Sequence, residues 1–487
     1  MTVAASAARA RAAQPAWAAT GVRDRCEVLR RMVRWVGEHA DDLADVIVAE
    51  TGKARDDAVI AELGYTLQAL AFWARRAPGW LADERVRWAG PALVGRRLSV
   101  RHAPLGVVGV IAPWNYPLAN ALGDVIPALA AGNAVLLKPS EHTPRTALLA
   151  AEGLRACGLP DGVLEVVTGA GEAGAAVVDA VDMVMFTGST ATGRAVAERA
   201  GRRLIPASLE LGGKDPMLVL ADADLERAAN TAVYYAMQNA GQTCLSIERV
   251  LVEDAVHDRF AALVAERVAA LRTGRPGGLG AVDVGGLSAP GQIETVEAHV
   301  ADAVAHGAEV VCGGHRVTGP GDLYAPTVLT GVTPAMRCMR EETFGPLLPI
   351  MRVADEDEAV AVANDSPYGL AASVFTRSAR RGEAVAARLE AGSVAVNDAM
   401  VFFAALDLPM GGWKDSGVGS RHGIGGIRKY TRAQSVVAAG RLPRRDVHTY
   451  PYRAWRTRLL LSALRRLSAP LPGRPRLAVP GRRSPGR

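Results

Sequence analysis

Cysteine is scarce in this chain and scattered where it occurs. Cys26, Cys157, Cys244, Cys312 and Cys338 are an odd number over 487 residues, with no CxxC pair and no Cys/His cluster of zinc-binding spacing. This argues against a disulfide scaffold and a metal centre, and for a reducing compartment. Long apolar runs are missing as well: nowhere do eighteen apolar residues stand together. The N-terminal stretch MTVAASAARARAAQPAW carries Arg9 and Arg11 but lacks the apolar centre of a signal peptide. The expectation is a cytoplasmic protein, neither secreted nor membrane-spanning. No basic patch interleaved with aromatics is present to argue for a nucleic-acid partner. The net charge of +6 belongs to the end of the chain, because residues 441–487 hold thirteen Arg and the single acid Asp446, leaving about −6 for the preceding 440 residues.

What is present is ample core material: 49% of residues are hydrophobic and 22% charged, enough for two or three domains. From Val22 to about Ala77 apolar residues recur at helical spacing. RLSVRHAPLG then reads as an edge strand or hairpin. Beyond it, short β-rich runs (GVVGVIAP, AVLLKPSE, VLEVVTG, MVMFTGST) alternate with Ala-rich helical ones, the pattern of β-α-β units on a parallel sheet. A second alternating region runs from Lys214 to about Pro409, with PMLVL, RVLVE, AEVVCGG and SVAVN as strands. The fold class is α/β, with two such domains in series.

Several segments carry chemistry. FTGSTATG at 186–193 closes a strand and opens a helix, so Gly188, Ser189 and Gly193 present free amides where a helix dipole favours phosphate. Its spacing is not that of the GxGxxG fingerprint, and Gly-Ser turns also serve as plain loop closers. AVLLKPSE places Lys138 and Glu141 at a strand end, where a carboxylate accepts from two ribose hydroxyls or, more blandly, stays solvated. APWNYP holds Asn115 in a Pro-bounded turn. LELGGKDP sets Glu210 in apolar surroundings that raise a carboxylate toward the range of a usable base. EETFGPLLPI offers Glu342 and Phe344 before a strand, and NAGQTCLS places Cys244 after a glycine turn.

In order along the chain stand ETGK, PWNYP, KPSE, FTGSTATG, ELGGK, GQTC, EETFGP, NDSPYGL and PMGGWKDSGVG followed by KYT. From about Ala16 to Val437 the sequence resembles the aldehyde dehydrogenase superfamily, nearest to a branch labelled succinate-semialdehyde dehydrogenase. The resemblance implies a Rossmann-like cofactor domain (1–82 and 105–213), an α/β catalytic domain (214–412), and small β segments (83–104 and 413–440) that join subunits into homodimers or homotetramers. It implies Cys244 as the nucleophile that adds to an aldehyde, Asn115 as the oxyanion donor and Glu210 as the base that activates water. Lys138 and Glu141 are implied at the adenosine ribose. Trp114 and Ser189 are implied at the pyrophosphate region, Glu342 and Phe344 at the nicotinamide ribose and ring, and Gly188, Gly193 and Leu211 also among the cofactor-binding residues. Because Glu141 repels a 2′-phosphate, NAD is expected ahead of NADP, although relatives with a carboxylate here sometimes accept both.

Departures from the family pattern bear on substrate. Gly123 stands where an aromatic is common and Asn120 where Met or Leu is, which predicts a wider, more polar tunnel. Met410 replaces a common Phe, and Ser420-Arg421 a common Arg-Glu. Arg249 is available to hold a substrate carboxylate, or else is structural. The substrate reading is a semialdehyde, with longer aliphatic or aromatic aldehydes as the alternative. Transfer of the acyl group to coenzyme A is disfavoured by Glu210, and a non-catalytic scaffold by the retention of Cys244, Asn115 and Glu210 together. Past the match, the basic tail 441–487 contains RAWRTRLLLSALRRL at 453–467, which predicts an amphipathic helix suited to an anionic membrane surface or to a neighbouring subunit.

Overall fold

The run VVGVI at 107–111 is buried at every position, as β-branched residues covered on both faces of a parallel sheet require. In this computed structural model, which describes residues 2–87, 93, 95–319, 321–440 and 449–468, that run is the central strand of a six-stranded sheet. The strand order is Gly417–Val418, Ala207–Glu210, Met183–Thr187, Val107–Ile111, Ala134–Lys138, Leu164–Val166, parallel throughout except at the short edge strand Gly417–Val418. From Val107–Ile111 the chain builds outward first through 134–138 and 164–166, then returns to add 183–187 and 207–210 on the other side. The order therefore reverses between Val107–Ile111 and Met183–Thr187, and ligands of open α/β sheets bind at such a switch point, beyond the carboxyl ends of the strands.

A second, seven-stranded sheet follows, ordered Glu309–Cys312, Thr327–Thr330, Leu347–Val353, Ile247–Glu253, Asp215–Val219, Ala371–Phe375, Ser393–Val396, with one antiparallel pair at the 309–312 edge. The protein is thus α/β with two parallel-stranded sheets. A three-stranded sheet sets Arg96–Pro104 between Glu84–Val86 and Thr431–Ala439. The chain divides into two compact units, one made of Met1–Ala82 and Arg101–Gln434, the other of Asp83–Val100 and Ser435–Arg487.

The helical stretch from Val22 resolves into Val22–Glu38, Ala40–Thr51 and a run from Arg55 to Trp80 that contains one wide turn, Ala58–Gly64. The Ala-rich N-terminus is itself a helix, Val3–Ala19, anchored where Trp17 Nε1 donates to Leu129 O at 3.0 Å. In the smaller unit Ala454–Leu467 is helical, with Trp455, Leu459 and Leu464 exposed; the tail segments 441–448 and 469–487 lie outside the described residues. No helix among the described residues is long and apolar enough to cross a membrane.

Candidate active site

Cys244 follows a tight turn, Gln238–Gly241, whose last three residues are all left-handed: Asn239 at φ 53°, Ala240 at φ 54° and Gly241 at φ 72°. For Ala240 that conformation costs roughly 1–2 kcal/mol. At Gly241 a side chain is excluded outright, since a Cβ would stand 2.1 Å from Gly345 O. Hydrogen bonds hold the strained turn. Asn239 N donates to Asp57 Oδ2 (2.9 Å), Gln242 Nε2 to Asn239 O (2.9 Å), and Ser288 N to Gln242 Oε1 (2.8 Å). The Tyr116 hydroxyl pairs with Thr243 Oγ1 at 2.8 Å. Burial pushes the Cys244 thiol up to about 12, so the sulfur rests protonated.

Asn115 is fixed from both ends. Its Nδ2 donates to Gln242 O at 2.9 Å, and its Oδ1 accepts from Asn120 Nδ2 at 3.4 Å. Its backbone carbonyl accepts from Lys53 Nζ (2.8 Å), a fully buried ammonium that also grips Glu62 Oε1 at 2.6 Å. The lysine of ETGK thus positions the turn that carries the amide. Glu50 of the same motif caps the helix Pro144–Ala156 through Arg145 N and Thr146 N.

Glu210 ends the strand Ala207–Glu210 and is 3% exposed, with neither carboxylate oxygen hydrogen-bonded. Desolvation raises it to about 7, the largest opposing effect being the positive charge of Arg421. Glu342, whose Oε1 accepts from Gly213 N at 2.9 Å, is likewise pushed up to about 8 by burial and by Glu248. Lys214 of ELGGK reaches Glu248 at 2.6 Å and Thr343 Oγ1 at 3.1 Å, while Glu248 accepts from the amides of Thr343 and Phe344, so this network sets the EETFGP turn.

Cys244, Asn115, Glu210, Leu211, Glu342 and Phe344 border one cavity of about 280 Å³, together with Trp114, Gly188 and Ser189. The Trp114 and Phe344 rings meet edge to face at 5.5 Å. Trp114, Gly188 and Ser189 also border a second cavity of about 480 Å³ at the sheet's switch point, where Lys138 and Glu141 stand. Ser189 caps the helix Thr190–Arg202, accepting from Thr192 N. Gly193 lies in that helix and borders neither cavity: a Cβ there would meet the Leu211 side chain at 2.4 Å, so the glycine lets helix and strand end approach. Lys138 Nζ is 3.2 Å from Glu141 Oε2, whose carboxyl is held below its ordinary range by its own backbone amide and by that ammonium. A crevice at the strand ends, a helix N-terminus and a carboxylate at the crevice wall fit a dinucleotide.

On its other side Cys244 borders a third cavity of about 280 Å³, shared with Asn120 and lined by Tyr65, Tyr116, Tyr234 and Phe403. The wider, more polar tunnel expected from Gly123 and Asn120 needs correction. Gly123 does not border the cavity; it faces the Tyr65 hydroxyl, 3.1 Å from where a Cβ would stand, and the Tyr65 ring, stacked on Phe403 at 4.3 Å, occupies the wall instead. The Asn120 amide is used at both ends, donating to Asn115 and accepting from Arg421 Nη1 at 3.1 Å. Arg249 is a structural residue: buried in the second sheet, it donates to the carbonyls of Lys214 (2.9 Å), Val362 (3.1 Å) and Ala363 (2.9 Å). Met410 is buried against Leu245 and Leu370 beside Cys244 and lines no cavity described here.

Arg421, noted in the sequence only as a departure, is the group that sequence reasoning missed. It is buried beside Glu210, bound to Asp124 and to Thr187 Oγ1. Nothing local in RHG signals this, because its partners lie more than two hundred residues upstream. Among the described residues no cluster of metal-ligating side chains is present.

A profile of the aldehyde dehydrogenase family matches residues 1–436. A Mycolicibacterium smegmatis protein named "Putative succinate-semialdehyde dehydrogenase [NADP(+)]" is 48% identical over 90% of this chain and 84% of its own length. The 4,4'-diapolycopene aldehyde oxidase of a Methylomonas species is 40% identical over 92% and 83% respectively. Among solved structures, a Mycobacterium tuberculosis aldehyde dehydrogenase complexed with NAD+ is 35% identical with a TM-score of 0.85, over 90% of each chain. With residues of PWNYP, FTGSTATG, ELGGK, GQTC and EETFGP bordering one cavity and the family profile covering residues 1–436, the chain belongs to the aldehyde dehydrogenase family, oxidoreductases that act on aldehydes with NAD(P).

Proposed function

We propose that this chain converts an aldehyde to its carboxylic acid through a covalent adduct on Cys244. The observation that carries the reading is that the Cys244 sulfur, the Asn115 amide and the unpaired Glu210 carboxylate border one cavity. The thiol releases its proton to water in the cavity as the sulfur bonds to the carbonyl carbon, and the carbonyl oxygen becomes an oxyanion. Asn115, held by Asn120 at Oδ1 and by Lys53 at its carbonyl, donates to that oxyanion through the Nδ2 hydrogen not given to Gln242 O, a contribution of about 3 kcal/mol. The chemistry that a bound dinucleotide supplies is acceptance of a hydride from the adduct, which leaves a thioester on Cys244. Glu210 then takes a proton from water, hydroxide displaces the sulfur, and the carboxylic acid leaves. A carboxylate near 7 serves as a base at neutral pH, and its presence favours water over coenzyme A as acyl acceptor.

Lys138 and Glu141 would hold the adenosine ribose, Ser189 and Trp114 the pyrophosphate region, and Glu342 and Phe344 the nicotinamide end. Glu141 favours NAD, whereas the relatives' names point to NADP; Arg199, which also borders this cavity, is already bound to Asp179. The domain reading assigns the dinucleotide to the six-stranded sheet, Cys244 to the seven-stranded sheet's half, and dimer or tetramer contacts to the three-stranded sheet. Formation of reduced dinucleotide from an aldehyde panel, with and without coenzyme A, tests this: dependence on coenzyme A would overturn release by water.

The exposed Trp455, Leu459 and Leu464 on the arginine-rich helix Ala454–Leu467 support a separate reading, attachment to an anionic membrane surface. The full chain should then co-sediment with anionic vesicles at low salt and release at high salt, and truncation after Gly440 should abolish binding but not activity. Equal binding by the truncated chain would overturn it.

A further inference from the structure

We propose that the substrate is an uncharged aldehyde with an apolar aromatic or aliphatic body, and that the site discriminates against a semialdehyde ending in a carboxylate; this rests on the aldehyde-oxidising reading above. The cavity on the far side of Cys244 from the dinucleotide crevice carries the argument. No lysine, arginine or histidine is among its lining residues. At its rim Ile60, Tyr234 and Val401 are 61%, 42% and 47% exposed, so the entrance is itself apolar.

Several polar atoms of its walls are held by protein partners. Tyr65 OH pairs with His422 Nε2 at 3.0 Å, and Tyr116 OH with Thr243. Gln68 Nε2 donates to Ala404 O at 2.8 Å, and Gln238 Nε2 to Tyr234 OH at 3.1 Å. The lining also includes the rings of Tyr65, Tyr116 and Phe403 and the side chains of Ile60, Leu245 and Met400.

The basic groups behind the wall are not available. Arg421 is bound to Asp124 and screened by Asn120, which accepts from it. His422 is kept neutral, its imidazole lowered to about 3 by burial and by Arg421. Arg249 lies in the second sheet, away from this lining, and gives three of its N–H groups to backbone carbonyls. Lys53, whose Nζ lies 4.1 Å over the Tyr116 ring, is taken up by Glu62 and the Asn115 carbonyl. A carboxylate drawn into such a cavity loses water without gaining a cation, which makes it costly to bury. An alkyl or aryl group gains from the same walls in proportion to the area it buries.

The test compares kcat/KM of the full-length enzyme for hexanal, benzaldehyde, succinate semialdehyde and the methyl ester of succinate semialdehyde, which keeps the length and removes the charge. The ester and hexanal should exceed succinate semialdehyde by on the order of a hundredfold. Gln68→Arg, which places a cation at the cavity wall, should narrow the gap between the acid and its ester. Succinate semialdehyde used as well as or better than its ester would overturn the substrate class while leaving aldehyde oxidation standing. Oxidation of none of the four would overturn both.

Discussion

Arg421 Nη2 lies 2.6 Å from Asp124 Oδ2, and the two side chains are only 5% and 2% exposed. Asp124 sits in the helix Ala119–Ala130, and Arg421 also holds Thr187 at the end of the strand Met183–Thr187. Tyr430 OH completes the cluster on Asp124 Oδ1 at 3.1 Å. Burial alone would raise the Asp124 carboxyl, but Arg421 and Lys429 outweigh it and hold the group below its ordinary value. The pair thus ties the C-terminal segment to both walls of the site.

Removing one partner of such a pair leaves an uncompensated buried charge. Arg421→Met should therefore destabilise the protein by about 3 kcal/mol, read as a lowered Tm. It should also release the Asn120 amide, so that kcat falls in protein that remains folded. An unchanged Tm would show that Lys429 suffices for Asp124.

Cys244→Ala should abolish aldehyde oxidation and leave dinucleotide binding intact, since the sulfur forms the bond and the crevice lies elsewhere. Titration of intrinsic fluorescence with NAD measures the second property. Turnover within tenfold of wild type would exclude Cys244 as the nucleophile.

Glu210→Gln should give a burst of about one reduced dinucleotide per site followed by slow turnover, because an amide cannot take a proton from water. In the wild type, steady-state kcat should rise with pH up to about 7 and then level, as Glu210 ionises, and the variant should lose that limb. Stability runs the other way. The folded-state value near 7 lies above the ordinary 4.5, so between those values the folded state binds more protons and stability falls as pH rises. The wild-type Tm should decline over that window more than the variant's.

Glu141→Ala should raise the use of NADP relative to NAD, because it removes a carboxylate held ionised beside the ribose position. The ratio of kcat/KM for the two dinucleotides measures this, and an unaltered ratio would assign the preference to other groups.

The alternation of buried β-branched runs with Ala-rich helices made the two parallel sheets legible, because period and burial are local properties of the chain. Cys244, Asn115 and Glu210 stood in short motifs of glycine, proline or apolar neighbours that each also had a structural reading; the resemblance supplied their implied roles, and the structure brings the three to one cavity. Strands such as Thr327–Thr330 and Ala371–Phe375 went unread, being runs of only four and five residues. Only the tertiary structure decided that Lys53 braces Asn115, that Tyr65 and not residue 123 walls the substrate cavity, that Arg249 is spent on backbone carbonyls, and that Arg421 pairs with Asp124 across 297 positions. The physical reason is the same in each case. What a buried polar side chain does depends on which partners the fold brings within about 3 Å, and residues far apart in sequence leave no periodic trace of that meeting.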